Sequence, residues 1–209
     1  MASSMGWRRK AKGLGLTIAL IAFCSAANSA YTAPVSMIIG GSTSQPIGHY
    51  DFCKIHSAEC SIRSPDSEPE RMTAKLSREI SAVNLSVNAR VKPMSDLDNY
   101  GKEEWWAYPD NGFGDCEDYA LEKRRELNSL GIAIANLLMT VVRKPDGEGH
   151  AVLTVRTDKG DFILDNLVDK VRLWNQTPYR YLKRQASDNT GHWVSILGGE
   201  EEKLVSAVK

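Results

Sequence analysis

Apolar residues recur between residues 76 and 91 at helical spacing: Leu76, Ile80, Val83, Val87 and Val91 follow one another in steps of three or four, with polar residues between them. Such steps put all five on one helix face, so the stripe is read as core, and Pro93 marks its end. A second helix is expected from Asp115 to Gly131. Asp115 stands at a capping position, Glu117 and Asp118 suit the positive end of a helix dipole, and a glycine closes the segment. The period then changes. Residues 135–143 (ANLLMTVVR), 150–157 (HAVLTVRT) and 162–167 (FILDNL) are rich in apolar and β-branched residues and read as strands, the last two joined into a hairpin by TDKG. LWNQTPYRYLKRQ (173–185) and GHWVSIL (191–197) are expected to add loops and one or two strands. Helices followed by an antiparallel sheet make an α+β fold.

The N-terminus has a different character. A basic start (Arg8, Arg9, Lys10, Lys12), an apolar run over 14–24 and small residues over 25–30 read as a secretory signal peptide spanning residues 1–30. The run is shorter than the roughly 20 residues of a spanning helix. Phe23, bulky where a lipoprotein signal wants a small residue, speaks against lipid attachment at Cys24. One domain is then expected over 31–209, with a loop-rich stretch at 31–72, marked by GGSTSQPIG and SPDSEPE, and a core at 73–200. The 209-residue chain balances 26 basic against 26 acidic residues, and removal of the leader's four basic residues leaves 22 against 26. A slightly acidic chain without a basic stripe excludes a nucleic-acid partner.

Export makes cysteine usage informative. Cys53 and Cys60 lie close together in FCKIHSAEC and are expected to form a disulfide; a metal pair with His56 is the competing reading, but too few further ligands sit nearby for zinc. That leaves Cys116 as the odd thiol, in NGFGDCEDYA. Its neighbours Asp115, Glu117 and Asp118 oppose a thiolate, whereas a place in the first turn of a helix favours one.

A nucleophile needs a base and an orienter. Of four histidines, His49 and His56 sit in the loop-rich stretch and His192 near the C-terminus, while His150 begins a strand after the turn KPDGEG and is the best-placed base. Asp165, on the partner strand, is the candidate orienter. The turn type leaves the hairpin register open, with Asn166 and Asp169 as substitutes. For an oxyanion the backbone N–H of Cys116 is the natural donor, with Trp105, Trp106 or Asn111 as a second. Asp96, Asp98 and Gly101 echo a calcium loop, but Tyr100 fills a ligand position and Ala107 stands where the closing glutamate belongs, so the segment is read as a solvated turn.

GDCEDYA followed by GHAVLTV and LDNL, in the order helix-Cys, strand-His, strand-Asp, resembles the bacterial transglutaminase-like cysteine proteinases, and the resemblance extends from about Trp105 to Trp193. It implies a papain-like or transglutaminase-like fold and a periplasmic protease of the LapG type, a group whose studied members cut a surface adhesin and release biofilm cells. It further implies nucleophile, base and orienter roles for Cys116, His150 and Asp165, and a calcium ion held by acids matching Asp115, Glu117 and Asp118. A cation there would cancel the repulsion those acids impose on the thiolate. Plain helix capping is the competing account of the acids. The resemblance also implies a protein substrate and an inner-membrane receptor that sequesters the protease under cyclic-di-GMP control; the protein is expected to be monomeric. A transglutaminase-type acyltransferase and a non-catalytic, calcium-stabilised binding module are the rival functions.

Overall fold

Five apolar side chains at helical spacing between residues 76 and 91 are all buried, and the helix that carries them packs against a second helix lying on a sheet. The computed structural model describes residues 1–2, 36–65 and 67–197. The chain divides into units 1–32 and 33–209, and the fold set out below is that of the second. The expected signal peptide falls, but for its first two residues, outside the described residues. In chain order the elements are β1 (Ile38–Ser42), α1 (Ile47–Ile55), α2 (Ala74–Arg90), β2 (Lys92–Pro93), α3 (Asp96–Tyr100), β3 (Phe113–Gly114), α4 (Cys116–Ser129), β4 (Leu137–Arg143), β5 (Gly149–Thr157), β6 (Gly160–Leu164), β7 (Arg172–Leu173), β8 (Arg180–Gln185) and β9 (Trp193–Leu197).

Seven strands form one sheet in the order β1-β9-β8-β4-β5-β6-β7, every neighbouring pair antiparallel. Thr73 caps α2 by accepting the Leu76 N–H at 3.1 Å. The stripe of α2 meets Tyr119, Ala120, Leu121 and Leu127 of α4 and Leu137, Met139, Leu153, Val155 and Leu164 of the sheet in the main core. A smaller core of Val142, Val152, Ile163, Tyr181 and Ile196 forms separately, with Met37 and the half-buried Trp174 and Tyr179. Burial of alternate residues to different cores along β5 is the period-2 signature of a strand covered on both sides.

The stretch expected to be irregular is only partly so. β1 pairs with β9, and α1 buries Gly48, His49 and Phe52, so the described part of this stretch contributes to sheet and core. Cys53, on α1, is bonded to Cys60 in the loop that follows. The zinc reading of that pair is thereby set aside. Among the described residues, no helix is long and apolar enough to cross a membrane.

The β5–β6 hairpin settles a register that the turn sequence left open. Thr157 pairs with Gly160, leaving Asp158 and Lys159 as the turn, and Gly160 takes φ +113°, a conformation that glycine adopts at little cost. The Thr157 hydroxyl fastens the turn by accepting the Lys159 N–H and donating to the Gly160 carbonyl. The ladder ends with Leu153 opposite Leu164. Asp165 thus leaves the end of β6 where β5 runs on toward His150, paired with β4 only.

Candidate active site

Cys116 is the first residue of α4, so its backbone N–H has no acceptor within the helix and the helix's positive end lies at the side chain. The chain enters this turn through Gly114, where a β-carbon would stand 2.6 Å from Asp118 Cβ and 2.7 Å from Asp118 Oδ2. Only glycine lets the two approach. The Cys116 Sγ donates to Glu117 Oε2 at 3.1 Å and accepts the backbone N–H of Ala151 at 3.3 Å, which sets the thiol against the residue following His150. Burial pushes the thiol well above its ordinary pKa, and the Glu117 charge adds to the effect.

His150 Nε2 lies 2.9 Å from Asp165 Oδ1, with both side chains buried. Asp165 Oδ1 also takes the Leu167 N–H at 3.0 Å, and Oδ2 takes the Tyr179 hydroxyl at 2.5 Å. Burial alone would raise this carboxyl, but hydrogen bonds from His150, Tyr179 and Leu167 outweigh it and hold Asp165 below the usual carboxylate range. An ionised Asp165 accepting from Nε2 keeps the imidazole in the tautomer whose Nδ1 is basic. Asn166 and Asp169 do not take this place. Asp169 accepts instead from Asn88 of α2, and Asn88 also holds the Asp165 carbonyl.

Cys116, His150 and Ala151 line one cavity of about 320 Å³ with Trp106, Pro46 and Val141, and with Glu104 and Lys183 at its polar margin. Trp106 is buried in the core as well as facing the cavity, Trp105 lies under the Lys102 ammonium, and Asn111 is engaged with Asn99.

The acids beside Cys116 divide differently from the sequence expectation. Asp115 occupies the N-cap position, yet its side chain makes no capping hydrogen bond. Oxygens of Asp115 and Asp118 gather instead with one from Asp96, all within 4.8 Å of one another, while Glu117 groups with Asp115 and Cys116. Asp96 was expected in a solvated turn; it is buried at the start of α3, capped by Ser95, and accepts the Trp105 N–H. Asp118 accepts the Ala107 N–H at 2.8 Å. Each of the three then retains one buried oxygen without a hydrogen-bond partner: Asp96 Oδ1, Asp115 Oδ1 and Asp118 Oδ2. Burial, with the neighbouring acids adding to it, raises Asp96 to about 6 and Asp118 to about 8, and Asp115 and Glu117 are raised as well. Three converging carboxylates with three orphaned oxygens fit a hard divalent cation with oxygen ligands.

The profile of a family described as bacterial transglutaminase-like cysteine proteinase BTLCP matches residues 39–201. No curated protein is matched. Among solved structures, calcium-bound LapG from Legionella pneumophila is similar with a TM-score of 0.50 at 19% identity, over 65% of this chain and 76% of that one. EGTA-treated LapG from the same organism gives 0.48 at 22% identity, over 60% and 69%.

Proposed function

The chain belongs to the bacterial transglutaminase-like cysteine proteinases and is a cysteine peptidase, and from that premise we propose that it is a thiol endopeptidase in which Cys116 is the nucleophile, His150 the general base and acid, and Asp165 the orienter. One observation carries the reading: His150 is bound through Nε2 to a buried, ionised Asp165 while the Cys116 thiol rests on the next residue's N–H. In this reading the Cys116 proton passes to His150 Nδ1 and the thiolate attacks the substrate carbonyl carbon. The Cys116 N–H, which has no acceptor within α4, faces the oxyanion. His150 then protonates the departing amine, leaving a thioester on Cys116. Water deprotonated by His150 hydrolyses that thioester and restores the thiol. Substituting Cys116 and His150 one at a time and following peptide cleavage tests this assignment.

Calcium is the proposed cofactor, held by Asp96, Asp115 and Asp118, with Glu117, which groups with Asp115 and the Cys116 thiol, as the further ligand expected from the sequence. It is supported by the orphaned oxygens and by the calcium-bound state of the similar LapG. Bound there, it would supply positive charge against the acids that now oppose ionisation of Cys116.

The signal-peptide pattern and the Cys53–Cys60 disulfide support export to the periplasm. The substrate is proposed to be a surface or periplasmic protein, of which a biofilm adhesin is one kind, and an inner-membrane receptor is proposed as regulator.

A further inference from the structure

We propose that Tyr179 is a positioning residue of the catalytic unit, fixing the plane of the Asp165 carboxylate through its hydroxyl and the plane of the His150 ring through its own ring. The inference rests on the triad reading above. Tyr179 lies just before β8, and its hydroxyl donates to Asp165 Oδ2 at 2.5 Å. Its ring meets that of His150 edge-on, with centroids 5.5 Å apart and an interplanar angle of 63°. One side chain therefore touches both the base and its orienter.

His150 Nε2 and the Leu167 N–H both bind Oδ1, so any turn of the carboxylate about the bond that carries it strains these two bonds, and the Tyr179 hydroxyl resists the same turn from the other oxygen. With donors on both oxygens the plane is held from two sides. A charge-assisted O–H···O⁻ bond in a buried site is among the stronger hydrogen bonds a protein makes. The edge-on ring contact does the same for the imidazole, which Asp165 grips at a single nitrogen. Both contacts are made to the base and its orienter, so Tyr179 acts on the rate through His150 and Asp165.

The test uses the full chain with calcium and a fluorogenic peptide built on a cleavage site that the wild-type enzyme selects from a peptide library. Tyr179→Phe keeps the ring contact and loses the hydroxyl; kcat is expected to fall roughly tenfold with KM within twofold, the split expected when an aligned group is loosened but binding is not. Tyr179→Ala loses both contacts and is expected to fall further. Because the hydroxyl acts through Asp165, adding Tyr179→Phe to Asp165→Ala should leave kcat unchanged from the single Asp165 variant. A folded Tyr179→Phe enzyme with wild-type kcat, or a full tenfold loss on top of Asp165→Ala, would overturn the inference. The triad reading fails separately, by activity surviving in Cys116→Ala or His150→Ala.

Discussion

The thiol of Cys116 donates to the carboxylate of Glu117, 3.1 Å away in the same helical turn, and not to the imidazole of His150. A thiol held by an acid is poorly disposed to ionise, which makes the acids around it the key to the site. Calcium should therefore switch cleavage on and a chelator should switch it off reversibly. Magnesium should restore little, because the smaller ion keeps its waters and demands a tighter octahedron. Peptide cleavage followed through cycles of chelation and calcium addition measures this; full activity in metal-free protein would contradict it.

The same acids make the calcium effect depend on pH. In the metal-free protein Asp96 titrates at about 6 and Asp118 at about 8, both above their unfolded values. Groups raised in this way contribute stability at pH below about 4 that is lost as pH rises through 6 and 8. The calcium-induced rise in Tm should thus be larger at pH 8 than at pH 5.5. At calcium a hundredfold above its Kd it corresponds to about 2.7 kcal/mol. Calorimetry at the two pH values provides the comparison.

Asp96→Ala should lose the calcium-dependent Tm shift as Asp118→Ala does, although residue 96 lies far from Cys116 in sequence. Cys116→Ala should keep the shift and lose cleavage. Calcium titration monitored by thermal melting separates the two behaviours, and an Asp96→Ala protein with the full shift would remove Asp96 from the ligand set.

Cys116→Ala and His150→Ala should each lower cleavage by roughly a thousandfold or more, and the double variant should be no worse than either, since nucleophile and base act as one unit. Asp165→Ala should be severe but leave residual turnover, because the group it removes only orients another. Single-turnover cleavage by the three variants, with Tm as a folding control, gives the order.

The disulfide should be separable from the chemistry. Peptide mapping without reduction should recover Cys53 and Cys60 in one linked species, with Cys116 alkylated by iodoacetamide after denaturation. Closing so short a loop contributes about 2 to 3 kcal/mol by loop entropy, so Cys53→Ala with Cys60→Ala should lower Tm while leaving cleavage measurable at 25 °C.

Parts of the molecule governed by local periodicity were legible in the sequence. The stripe from Leu76 to Val91 repeats at the helical period, and the strands at 137–143 and 149–157 fall within two residues of the apolar, β-branched runs that mark them. α1 was not legible, because it is short, begins after Pro46, and buries a glycine and a histidine instead of a run of aliphatic residues. Asp96 was misread because a calcium-loop template asks for ligands close in sequence, whereas this cluster draws its carboxylates from α3 and the start of α4. The spacing Asp96-x-x-x-Tyr100 gave no hint of it. Tyr179 likewise passed as part of a strand-forming segment, since nothing local marks a tyrosine whose partners lie on β5 and just beyond β6.

The most direct test of the account is peptide-bond hydrolysis itself. Full-length protein with calcium is incubated with a proteome-derived peptide library in H₂¹⁸O, and new termini are read by mass spectrometry. New carboxyl termini carrying ¹⁸O are expected, absent with Cys116→Ala and absent under chelation. No new termini from the wild-type protein, equal numbers from Cys116→Ala, or amine-capped products without ¹⁸O on addition of a primary amine would contradict it.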